Sequence, residues 1–193
     1  MNKRILTKLE QGEGTTFLGK LFLTRHQRQT LLKWFLFSAV YLLLQVLQDV
    51  IFSRVRILGG CPDLVPGYLL LVCLLQSPTS GSVFVLCAAV FRSLSGAVLG
   101  PVSIVVLVFL GSLLSALRRV SLWGQVRSVL LCACCGILLH QAVLFALGLF
   151  LESTAPQWWV ACVGGCLGAC AAAAVMYPLV RAIGKIGGDT WNG

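Results

Sequence analysis

The chain has 193 residues, of which 58% are apolar and only 11% charged, with a mean hydropathy of +0.93 and a formal net charge of +9. A soluble domain carries about 25% charged residues, so this composition excludes an ordinary soluble domain. Apolar runs recur from 31 to 180 rather than collecting in one anchor. They also lack the apolar/polar alternation of barrel strands. The expected fold is an all-α integral membrane protein: one six-helix transmembrane bundle whose segments satisfy their own backbone in lipid.

Residues 1–31 form a basic tail with Lys3, Arg4, Lys8, Lys20, Arg25 and Arg28. The basic stretch is too long for a signal peptide, and no small-residue cleavage site follows the first apolar run. Two readings of 16–32 stay open: an interfacial helix with Phe17, Leu18, Leu21 and Phe22 toward lipid, or a solvated tail. Six spans follow, at 32–52, 64–75, 83–99, 102–117, 128–151 and 158–180, with a short tail at 181–193. The second span opens after Pro62, and a turn over 76–81 separates it from the third. The fourth starts beside Pro101, a favourable helix-entry residue. The second span is the anomaly, because a 12-residue helix reaches about 18 Å against a hydrocarbon core of about 30 Å. It needs a thinned bilayer or the shelter of a bundle.

Lys and Arg between spans set orientation. With the N-terminus inside, the cytoplasmic segments carry Lys3, Arg4, Lys8, Lys20, Arg25, Arg28, Lys33, Arg118, Arg119, Arg127, Arg181 and Lys185. The outer loops carry Arg54 and Arg56. Twelve against two predicts both termini in the cytoplasm. Trp123 is placed as an inner interfacial anchor, and Trp158 and Trp159 as outer ones. The basic excess therefore reads as topology and attraction to anionic lipid, not nucleic-acid binding.

Arg92 lies inside the third span, where an unpaired charge costs about 3 kcal/mol or more. Asp49, late in the first span, and Asp63, just before the second, lie toward the same outer side. A structural ion pair with one of them is expected, and Asp49 is favoured because a helix holds it at fixed depth. Snorkelling to the outer headgroups and a transport or ligand-binding role are the other readings of Arg92. His140 and Gln141, midway along the fifth span, are expected to make interhelical hydrogen bonds. A proton relay would need a second titratable group at that depth, and none is apparent.

Eight of the nine cysteines lie in apolar runs, and only Cys61 falls in a loop. Cys162, Cys166 and Cys170 share one helix face with four-residue spacing. Gly164 and Gly168 add a G-x-x-x-G pattern, and Ala171 to Ala174 extend this small-residue surface. Close helix packing is expected of it, within the chain or with a partner. No metal site is expected, because this helix offers neither His nor carboxylate. Six carboxylates and two histidines, with no Ser/His/Asp set, H-E-x-x-H, P-loop or G-x-G-x-x-G, point away from an enzyme, an ATPase or an ion-coupled pump. No cofactor is implied.

One stretch carries a resemblance. Cys61-Pro62-Asp63-Leu64-Val65-Pro66 precedes an apolar run. After the turn Gln76-Ser77-Pro78-Thr79-Ser80-Gly81 comes a second run ending Ala89-Val90-Phe91-Arg92-Ser93-Leu94-Ser95-Gly96-Ala97-Val98-Leu99-Gly100. The next helix closes on Leu117-Arg118-Arg119. This resembles the rod shape-determining MreD family, with its "PDL" start to the second helix, turn, and run toward "SGxxLG". Tyr177-Pro178-Leu179-Val180-Arg181 is similar to the family's cytoplasmic exit. The family often has aspartate where this chain has Arg92, so the resemblance assigns that position no role.

The resemblance implies a non-enzymatic scaffold of the bacterial cell-elongation, peptidoglycan-synthesising complex in the inner membrane. It implies MreC as first partner, with MreB, RodA and the penicillin-binding transpeptidase partner of RodA. It also implies a fold resembling the substrate-binding subunits of energy-coupling-factor transporters. From that comes the alternative, a small-molecule (vitamin) transporter subunit. Such subunits often show Ala-x-x-x-Ala on their first helix, whereas Ala39 is the only alanine in this span.

Overall fold

The computed structural model describes residues 25–56, 59–94, 100–121, 126–151 and 159–186, which are helical apart from short connections and include no strand. We number the helices α1 (Arg25–Leu47, prolonged by a π-helical turn, Gln48–Phe52), α2 (Leu64–Leu75), α3 (Pro78–Leu94), α4 (Gly100–Ser121), α5 (Val126–Phe150) and α6 (Trp159–Gly184). The tail before residue 25, the segment 95–99, Trp123, Trp158 and the last seven residues lie outside the described residues.

The short second helix is the hub. α2 packs against each of the other five helices, while α3–α4, α4–α5, α5–α6 and α6–α1 are neighbours around it. The ring closes between α1 and α3, where Trp34 meets Phe84 at 5.5 Å between ring centroids and the Tyr41 hydroxyl donates to the Ala88 carbonyl at 2.7 Å. Sequence explains the placement: a helix apolar on every side has no solvated face and belongs inside. Every residue of α2 from Leu64 to Leu74 is buried. Its one hydroxyl, on Tyr68, donates to the Phe37 carbonyl of α1 at 2.8 Å, so burying it strands no donor. The length anomaly is resolved by shelter, since neither end of α2 has to reach lipid unaided.

Around the hub, polarity is inverted relative to a soluble protein. Phe35 (70% exposed), Phe109 (65%), Leu131 (67%) and Val175 (77%) point outward. Outward apolar side chains on every flank suit contact with lipid chains. Three helical stretches, Gln27–Phe52, Val126–Phe150 and Trp159–Gly184, are long and apolar enough to cross a membrane. The protein is a helical, membrane-embedded bundle.

Because lipid gives little hydrophobic drive between helices, close fit holds such a bundle together. Gly59 turns the chain with φ +88°, and Gly60 then passes so near α6 that a Cβ there would lie 1.8 Å from the Ala161 carbonyl oxygen. Gly165 of α6 faces the Cys61 carbonyl, 3.1 Å from where its own Cβ would be. One turn apart along α6, Ala169 and Ala173 then meet Gly67 of α2.

Two expectations need correction. The turn over 76–81 is only Gln76 and Ser77 long, because α3 starts at Pro78 rather than Val83. Pro78 occupies the first helical position, where its missing N–H is no loss, and the Gly81 N–H donates to the Ser77 carbonyl at 2.8 Å to close the first turn. Gly81 is a packing glycine rather than a turn glycine: a Cβ there would lie 3.2 Å from Cys73 Cα. The first span also does not end as a regular α-helix. Its last turn widens, with the Ser53 N–H donating to the Gln48 carbonyl at 2.8 Å. Elsewhere α4, α5 and α6 match the expected spans and run a few residues beyond most of their ends, as helices continue past the apolar stretch that hydropathy detects.

Candidate functional site

The chemistry gathers where α2 begins. Asp63 precedes the first turn of α2 and occupies the capping position, yet its side chain makes no capping hydrogen bond. A capping carboxylate ordinarily accepts from the first free N–H groups of the helix. Here Gln48 of α1 takes over part of that role. Its Oε1 accepts from the Leu64 N–H at 3.1 Å, and its Nε2 donates to the Pro62 carbonyl at 2.9 Å. Gln48 opens the π-helical turn, a distortion that recurs at functional sites. The Asp63 carboxylate is thereby free to receive Arg92 of α3, whose Nη2 donates to Asp63 Oδ2. The pair is partly open, with side chains 18% and 20% exposed.

Asp49, favoured by depth, is therefore not the partner of Arg92. It lies in the widened turn, is exposed, and accepts from Gln45 Nε2 at 3.3 Å. Depth along a helix says nothing about rotation, and Asp49 is exposed and bonded to Gln45 of its own helix.

Register brings two more polar residues to the same level. α1 and α3 run side by side in one direction, since Trp34 and Phe37 meet Phe84 while Tyr41 meets Ala88 and Phe91. One turn on from Tyr41 and Ala88, Gln45 comes level with Arg92. α5 runs against α2: Gly136 faces Leu70 and Ile137 faces Gly67. One further step brings His140 level with the start of α2. The second titratable group that seemed missing at the depth of His140 is thus present in three dimensions.

The expected hydrogen bond of His140 is absent. The ring is 1% exposed, and among the described residues neither nitrogen has a partner. Asp63 Oδ1, Arg92 Nη1 and Gln45 Oε1 are also buried without a partner among the described residues. Gln141 is half-buried. Buried polar atoms are nearly always paired, so this group at one end of the bundle stands out. At the opposite end of α2, the Gln76 amide is also buried and unpartnered.

The cysteines and small residues are placed differently from the site. Gly164 and Cys166 are buried, and Gly168, Cys162 and Cys170 are half-buried. Cys162 and Cys166 are neighbours one turn apart along α6, and Cys170 lies near Cys134 of α5. Of the α6 glycines it is Gly165 that faces the Cys61 carbonyl, and Gly164 beside it is buried as well. Gly164 is therefore already covered within the fold and is not open to a partner. Among the described residues, no group of three or more His, Cys, Asp or Glu could hold a metal ion.

Sequence reasoning missed Gln45, Gln48 and Lys33. Gln45, Gln48 and Asp49 at spacings of three and four late in an apolar run were the available signal for a polar helix face. Lys33, counted among the tail charges, is 2% exposed, with its ammonium 5.6 Å from the Trp34 ring centroid. Its place inside the first span, after Leu31 and Leu32, was the signal that set it apart from the tail lysines. No protein-family model, curated protein or solved structure matches the chain.

Proposed function

We propose that the chain is a non-enzymatic membrane scaffold of the bacterial cell-elongation machinery, acting as members of the MreD family do. One observation carries the reading. The family-like Pro62-Asp63-Leu64-Val65-Pro66 start leads into the buried central helix rather than lying on the surface. The stretch 61–119 supplies α2, which touches every other helix, and α3 and α4, which pack on it and on each other. Arg92 closes this unit by returning to Asp63 of the Pro62-Asp63-Leu64 start. A buried hub wrapped by helices suits a protein that presents fixed outer faces to partners.

In this reading six helices cross the bacterial inner membrane, with both termini cytoplasmic and a bundle like that of energy-coupling-factor substrate-binding subunits. The basic inner face attracts anionic lipid. MreC is the first partner, with MreB, RodA and its transpeptidase around them. The membrane helix of MreC would pack on outward side chains such as Val163, Leu167 and Val175 of α6, which are exposed, and not on the covered Gly164.

The test is affinity purification from native membranes followed by mass spectrometry. MreC should co-purify. Recovery of transporter ATPase subunits in its place would replace the scaffold with the vitamin-transporter subunit.

A further inference from the structure

We infer that the end of the bundle carrying Arg28, Arg127 and Arg181 is a docking site for an anionic phospholipid, with its phosphate against Arg181 and its chains along the outward face of α6. The inference rests on the attraction to anionic lipid proposed above and names its seat. Its readout does not involve MreC, so the lipid site and the scaffold role fail separately. The argument starts from register. The Tyr68 hydroxyl meets Phe37 of α1, and Gly67 beside it meets Ile137 of α5 and Ala173 of α6. α1 and α5 run against α2, and α6 runs with it. Arg28 lies nine residues before Phe37, Arg127 ten before Ile137 and Arg181 eight after Ala173. Each is therefore about 12–15 Å from that common level in the same direction. The three cations form a belt at one depth across the neighbouring helices α5, α6 and α1, and all three are exposed. Lys185, one turn beyond Arg181, is exposed too.

Charge and surface together select the occupant. The carboxylates among the described residues are Asp49 and Asp63, and both lie at the opposite end, where Asp63 holds Arg92. At the belt no described carboxylate competes for the cations, so the field there is positive throughout and favours an anion. Directly below the belt the surface turns apolar, with Phe35 of α1, Leu131 of α5, and Val175 and Leu179 of α6 all exposed. A free anion or an acidic peptide would meet the cations and leave that apolar surface uncovered. A zwitterionic lipid would cover it but turn its own ammonium toward the belt. A lipid with a net negative head meets both at once, with the phosphate above and the chains below. Arg181 is the centre of the site, because α6 lies between α5 and α1. Its long stem reaches from the apolar zone to the level of the phosphates.

Native mass spectrometry of the full chain tests the site. The protein is released from detergent micelles holding equal amounts of phosphatidylglycerol and phosphatidylcholine, which share a phosphate and differ in net charge. Phosphatidylglycerol should stay bound at collision energies that strip phosphatidylcholine. Arg181→Gln should weaken phosphatidylglycerol binding about fivefold, and Arg28→Gln and Arg127→Gln by a similar or smaller factor. Arg54→Gln with Arg56→Gln removes two exposed cations of the opposite end and should leave binding unchanged. Circular dichroism checks that each variant keeps its helices, and three separate belt positions mean that one misfolded variant leaves two to decide. Soluble glycerol 3-phosphate in excess should not displace the lipid. Equal retention of the two lipids, equal losses from variants at both ends, or displacement by glycerol 3-phosphate overturns the assignment.

Discussion

Arg92 shows what a single residue does in this fold. Its guanidinium joins α3 to the start of α2, and that junction is available only because Gln48 from α1 bonds the Leu64 N–H that Asp63 would otherwise cap. Asp63→Asn and Arg92→Ala should each lower stability by about 1.5–3 kcal/mol, measured by denaturant unfolding in detergent micelles. The double variant should lose less than the two singles summed, by about 1–3 kcal/mol. Asp49→Asn should stay within about 0.5 kcal/mol of the parent, as exposed substitutions do. Strictly additive losses for Asp63 and Arg92 would dispose of the pair. At this scale the sequence shows that Arg92 needs an acid and that two acids lie at suitable depth. It does not show which one, because depth leaves rotation open, and the structure pairs Arg92 with Asp63 while Asp49 bonds Gln45. Nor does it show that His140 comes level with the pair, since that follows from the antiparallel register of α5 and α2.

Among the elements, α2 was legible to its ends, and for a plain reason. It is apolar on every side and bounded by Asp63 and by Gln76-Ser77; its length left a thinned bilayer or a sheltered interior, and its burial decides for the second. α6 was legible as a small-residue helix but not in its rotation. Gly164 and Gly165 are adjacent, and only contact with the 59–61 loop decides which of them faces inward most closely. Gly165→Leu should therefore cost about 2–3 kcal/mol or more through overpacking against the Cys61 carbonyl. Ala171→Leu, on the exposed side of the same helix, should change stability by no more than about 0.5 kcal/mol. Thermal unfolding of both variants in one detergent checks the contrast. Equal losses at the two positions would mean that α6 is rotated relative to this description.

For the whole molecule, the proposed orientation follows from charge and the packing from shape. Reporter fusions after Arg119 and after Lys185 should both give cytoplasmic signals, and a fusion after Glu152 an external one. A periplasmic signal at Lys185 would remove one crossing from the proposed six. Composition and the length of the apolar runs were enough to read a helical membrane bundle. The ring around α2 was not readable, because apolar helices in lipid choose neighbours by local fit, seen here in Gly60 against Ala161 and Gly67 against Ala173. The functional claim tests most directly on cells. On the proposed scaffold reading, depleting the protein should make rod-shaped cells lose their rods and become round. Cells that stayed rod-shaped but lost uptake of one vitamin would contradict the scaffold and support a transporter subunit.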